Sequence, residues 1–188
     1  MRRSAGFTLY ELLFVMMILG VLVALARPHI DPQDHTVRNA SQTVGSTLLM
    51  AQRLAVTGQH DVLVAFDTDA AMMRIHEDGD NDGEIDDSER VRHIEIDEIA
   101  FARGPTPPHP VIGADATSFA GAPDGLPALR FQRDGSVAEE GGLYLTTLRA
   151  VRTGSAQYAE DTRAVVVERA TGRASWFRYH DAEWERVF

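Results

Sequence analysis

At 188 residues the chain has room for an apolar N-terminal segment and a single domain of about 150 residues. It contains no cysteine, which excludes an internal disulfide, thiolate catalysis and a cysteine-held metal, and leaves the compartment to be read from elsewhere. A formal charge of −10 sets it against phosphate backbones unless its basic groups are segregated.

The first 27 residues read MRRSAGFTLYELLFVMMILGVLVALAR. Across 7–26 the 20 residues carry one formal charge, Glu11, and a helix of that length spans about 30 Å, the thickness of a bilayer core. A cleaved secretory signal, with Ala24-Leu25-Ala26 as a loose cleavage site, and a plain single-span anchor are the competing readings. Neither explains a carboxylate at membrane depth, which costs about 2.5–3.5 kcal/mol on insertion scales. Arg2 and Arg3 are expected to hold the N-terminus in the cytoplasm and to place the remainder across the membrane.

Gly6-Phe7-Thr8-Leu9-Tyr10-Glu11-Leu12, behind those two arginines, resembles the class III signal of type IV pilins and pseudopilins. The resemblance implies a prepilin peptidase that cuts after Gly6, N-methylation of the new terminal Phe7, and Glu11 as the assembly residue. Its implied partner is the N-terminal amine of a neighbouring pilin or pseudopilin. The resemblance also makes the membrane the bacterial inner membrane, with the head in the periplasm. Cleavage also removes Arg2 and Arg3, which takes the side-chain charge from −10 to −12. An unpaired carboxylate in lipid seeks a cation or a donor, so assembly would relieve a cost that the monomer bears.

Pro28 and Pro32 should bend or interrupt the helix as it leaves the membrane. From about residue 34 the helical pattern resumes: Val37, Ala40, Val44, Leu48, Ala51 and Ala55 recur at three- and four-residue spacing, with Leu49 and Leu54 alongside, until Gly58 stops it. Short strand-like runs follow at 61–66, 72–76, 91–96, 128–132, 143–148, 163–168 and 173–179, several joined by turn signals such as Arg133-Asp134-Gly135-Ser136. Between 103 and 127, six of the chain's eight prolines predict a long surface loop. The fold class is α+β: a long, broken N-terminal helix, transmembrane in its first half, packed on antiparallel sheet. The predicted organisation is a leader at 1–6, a membrane and assembly helix at 7–27, the periplasmic half of the helix at 28–60, and a β-rich head at 61–188.

Residues 78–89, DGDNDGEIDDSE, match the twelve-residue calcium loop D-x-[DN]-x-[DN]-G-x5-E at every specified place. Asp78, Asp80 and Asp82 alternate toward one centre, and Gly83 allows the sharp turn. Glu84 offers its carbonyl, Asp86 acts directly or through water, and Glu89 closes the site. Hard oxygen ligands favour Ca²⁺. The flanks read as strands where an EF-hand has helices, and the alternative is an acidic, solvated hairpin loop.

LRFQRDGSV at 129–137 and AVVVERATGRA at 164–174 resemble the C-terminal half of the GspH/FimT group of minor pilins and pseudopilins. That resemblance implies a pilin-like fold and an assembly role without catalysis, and no metalloprotease, nucleophile-elbow or phosphate-loop motif argues otherwise. Some FimT-like proteins bind DNA through basic C-terminal strands. Here Arg163, Arg169, Arg173 and Arg178 are interleaved with Glu160, Asp161, Glu168, Asp181, Glu183 and Glu185, which disfavours nucleic acid. His76 and His93 flank the acidic loop and read as strand surface. Trp176, Phe177, Tyr179 and Trp184 read as packing residues, with an exposed patch as the alternative.

Overall fold

The computed structural model describes residues 8–25, 32–85, 89–121 and 124–187, and the chain divides into two compact units, Met1–Asp31 and Pro32–Phe188. In the first unit, helix α1 (Leu9–Leu25) is apolar around its circumference except at Glu11. Its large side chains from Leu9 to Leu22 are exposed, from 46% at Ile18 to 83% at Tyr10. Its 17 residues make a rod of about 26 Å. Among the described residues no helix is long and apolar enough to cross a membrane; the span expected over 7–27 runs past the described residues at both ends. The junction 26–31, with Pro28, also lies outside them.

The second unit opens with α2 (Pro32–Gly58). Proline at its first position is harmless, because the donor it lacks has no intrahelical partner there. The expected stripe is the buried one: Val37, Ala40, Val44, Leu48, Ala51 and Ala55 are each 4% exposed or less. Leu49, predicted to lie alongside, points away and is 55% exposed.

Beneath α2 lie two antiparallel sheets. The first is ordered β3 (Arg90–Glu95), β2 (Met72–Asp78), β1 (Asp61–Asp67), β5 (Ala128–Phe131). The second is ordered β4 (Ile99–Ala100), β6 (Gly141–Thr147), β7 (Arg163–Val167), β8 (Ala174–His180), β9 (Glu183–Arg186). Period-two alternation sends Val62, Val64, Phe66, Met73, Ile75, Leu143, Leu145, Val165 and Val167 into one core with the α2 stripe. The α+β architecture is therefore as read, helix first and antiparallel strands after it.

Three features depart from the expectations. Leu148 does not extend β6: Thr147 caps a short helix α3 (Leu148–Thr153), its hydroxyl accepting the Ala150 N–H and donating to Asp161, which Arg149 also grips through two nitrogens at 2.7 and 2.9 Å. Strands β4 and β9 were not predicted, being only two and four residues long. Among its described residues the 103–127 segment has no helix or named strand, yet it is not simply a surface loop: Thr106, His109, Ile112 and Phe119 are buried. It covers the outer face of the second sheet because Tyr144 is buried there and its hydroxyl needs partners, accepting the His109 N–H and donating to the Gly113 carbonyl. Trp184 fastens the same segment by donating to the Pro107 carbonyl. Trp176 and Phe177 are likewise packing residues, one in each core cluster.

Candidate functional site

Of the expected processing residues, Gly6 and Phe7 lie outside the described residues. Glu11 is described and exposed, and it has a partner within its own helix. Thr8 occupies the N-cap of α1: its carbonyl accepts the Leu12 N–H, its hydroxyl accepts the Glu11 N–H at 3.3 Å, and its own N–H donates to Glu11 Oε2 at 3.4 Å. This reciprocal capping box, Thr-x-x-Glu, satisfies two of the donors that every helix start leaves open. The acid also complements the positive end of the helix dipole. The picture of an unpaired carboxylate is thereby corrected: Glu11 has local donors within its own helix, and both members of the box lie after the expected cleavage point at Gly6.

The acidic loop joins β2 to β3, so its flanks are strands, as read. Carboxylate oxygens of Asp78, Asp80 and Asp82 lie within 4.8 Å of one another. The turn between them is built as the spacing requires: Gly83 has φ +82°, and its N–H donates back to Asp78 Oδ2 at 3.1 Å. Asp80 and Asp82 accept the N–H groups of Asp82 and Glu84, and Asn81 accepts the Asp61 N–H. Asp78 is 4% exposed, and its Oδ1 is buried without a hydrogen-bond partner. Three carboxylates and a buried, unanswered oxygen fit a hard cation.

Of the other carboxylates expected to complete the site, Glu89 stands outside the three-aspartate cluster and Asp86 lies outside the described residues. Arg130 already brings positive charge, with Nη1 3.5 Å from Asp78 Oδ2 and 3.8 Å from Asp61 Oδ2, and Nη2 donating to the Gly83 carbonyl. Sequence spacing could not reveal Arg130, which arrives from β5, on the far side of β1.

His76 is not the surface residue expected of it: it is 5% exposed, and neither ring nitrogen has a hydrogen-bond partner. Burial holds its pKa below the ordinary 6.5, with Asp124 opposing and Arg74 and His93 adding to the shift. The two stretches that resemble the GspH/FimT signature meet in space. The Asp134-Gly135 turn and the Thr171-Gly172 turn are bridged by Gln52 of α2, whose Nε2 donates to the carbonyls of Gly135 at 2.7 Å and Thr171 at 2.8 Å.

These features define a chain whose exposed, apolar first helix is capped by its own threonine and glutamate, placed ahead of an α+β unit. The family model for the prokaryotic N-terminal methylation motif matches residues 1–26, so the chain carries that motif at its N-terminus. No curated protein matches the chain. Among solved structures, that of the minor pseudopilin EpsH from the type 2 secretion system of Vibrio cholerae is similar, with 14% identity over 76% of this chain and 96% of that one and a TM-score of 0.48.

Proposed function

We propose that this chain is a minor pseudopilin of the GspH/FimT kind, made as a precursor, cut after Gly6, methylated on Phe7 and held by its N-terminal helix in the inner membrane. It then enters a short filament by packing that helix against those of other pilins or pseudopilins. Its work is assembly, at filament initiation or at the tip, and not catalysis. The observation that carries this reading is the methylation motif over 1–26, within which α1 exposes large apolar side chains from Leu9 to Leu22. Such a surface is unstable in water and is satisfied by lipid or by like helices. A type II secretion pseudopilus is favoured over a type IV pilus because the acidic chain is poorly suited to DNA capture.

The test is incorporation. Glu11→Ala in the full chain should still be processed and reach the membrane, yet should fail to crosslink to neighbouring subunits or to enter sheared filaments. Wild-type incorporation of this variant would defeat the proposal in favour of a membrane-tethered calcium-binding module, for which Glu11 is dispensable.

That second reading has its own support in Asp78, Asp80 and Asp82 around the buried Asp78 Oδ1. Bound Ca²⁺ would neutralise the loop and tie β2 to β3. At a hundred times its dissociation constant it would stabilise the fold by about 2.7 kcal/mol. Melting curves in excess Ca²⁺ and in chelator should separate for the wild type and coincide for Asp80→Asn with Asp82→Asn; coincident wild-type curves would mean a bare acidic loop.

A further inference from the structure

In this acidic protein the arginines gather where the sequence shows them scattered. Between α2 and the second sheet runs a groove of about 760 Å³, and its rim carries Arg38 from α2 with Arg163, Arg173 and Arg178 from the C-terminal strands and the turn between them. Among the described residues no carboxylate lines it. Its floor is apolar: Leu49 is 55% and Val187 48% exposed, and the lining includes one edge of the buried indole of Trp176, 7% exposed. Gly45 makes room for that indole, since a Cβ there would stand 3.2 Å from Trp176 Cζ2.

Two of the cations are poorly satisfied from within. Among the described residues no ion pair engages Arg38 or Arg173, and Arg178 meets Glu185 only at 3.9 Å, with both side chains well exposed. Arg163 donates to the backbone carbonyls of Glu160 and Thr162. Arg38 and Arg173, which no described carboxylate pairs, beside the exposed Leu49 and Val187 make a surface that is complementary in two ways at once.

We infer that this groove binds an acidic peptide segment of a partner protein, with an apolar side chain set against Leu49 and Val187 and carboxylates reaching Arg38 and Arg173. Two observations favour a short protein segment over nucleic acid. The apolar floor answers an aliphatic or aromatic side chain and gives a phosphate nothing. Beside the arginines stand Glu160, Glu168 and Glu185, which would repel a continuous phosphate backbone running past the groove but not a short segment lying within it. The inference concerns the head alone and holds whether or not the chain assembles into a filament.

The test uses the full chain in detergent and a labelled twelve-residue peptide of alternating glutamate and leucine. Controls are an all-glutamate peptide, a lysine–leucine peptide and a twelve-base-pair DNA duplex. The glutamate–leucine peptide should bind, weaken with added salt, and lose about tenfold or more in affinity on Arg38→Glu with Arg173→Glu, both exposed positions whose exchange should leave the melting temperature unchanged. Leu49→Ser should weaken it further by a salt-independent amount. No binding, equal binding of the all-glutamate or lysine–leucine peptide, or tighter binding of the duplex would each overturn the inference, the last in favour of a nucleic-acid site.

Discussion

Thr8, Gly172 and His76 show how local chemistry sets the behaviour of single positions. At Gly172, φ is +61° and an added Cβ would stand 2.3 Å from the Gly135 carbonyl oxygen, so Gly172→Ala must both strain its own backbone and push the two signature turns apart. We expect a loss of about 2 kcal/mol or more, seen as a melting temperature several degrees lower; an unchanged melt would show that the turns do not need each other. His76 predicts a pH dependence. Because burial depresses its folded-state pKa below 6.5, the unfolded chain takes up the proton first as pH falls. His109 is depressed by burial as well, and its Nδ1 accepts the Val111 N–H, which demands the neutral ring. Stability from both is therefore present above the ordinary histidine pKa and declines as pH drops through it. The melting temperature should fall between about pH 7.5 and 5.5, less steeply in His76→Leu; identical slopes in the two proteins would remove His76 from this account.

At the scale of elements, side chains far apart in sequence determine where strands and helices end. The strand reading of 143–148 failed at one residue, because Thr147 turns the chain into α3 as soon as its hydroxyl and Arg149 find Asp161. Asp161 is 8% exposed, so Arg149→Ala would leave a buried carboxylate with one partner removed. Since the Arg149 side chain is itself 30% exposed, we expect a moderate loss of about 2 kcal/mol, read from denaturant midpoints at constant slope. Conversely, the α2 stripe and most strands were legible, because their periodicity records which face meets the core. The 103–127 segment was legible as irregular but not as a cover. Nothing in its composition announces that Tyr144 waits beneath it for an oxygen and an N–H.

For the molecule as a whole, the proposed topology makes a prediction that the absence of cysteine renders easy to read. A single cysteine at the exposed position Glu139, introduced as Glu139→Cys, should react with a membrane-impermeant maleimide in spheroplasts, because the head would face the periplasm. Labelling that requires lysis would reverse the orientation or deny the anchor. Charge also changes meaning at this scale. A net −10 argued against anionic partners, yet the fold separates charge by place, setting Asp78, Asp80 and Asp82 together at the β2–β3 loop and Arg38, Arg163, Arg173 and Arg178 together along one groove.

The sequence by itself determined the processing motif, the apolar helix, the α2 stripe and the α+β order, since each is written in neighbouring residues or in a fixed period. The capping box at Thr8 and Glu11 was there to be read as well, a Thr-x-x-Glu spacing hidden inside a stronger motif. Only the tertiary structure decided that Arg130 would answer Asp78 and that two turns, roughly 37 residues apart, would share Gln52. It alone gathered four scattered arginines around Trp176. Those outcomes depend on strand order and on which faces meet, and pairing between distant segments leaves no periodic trace along the chain.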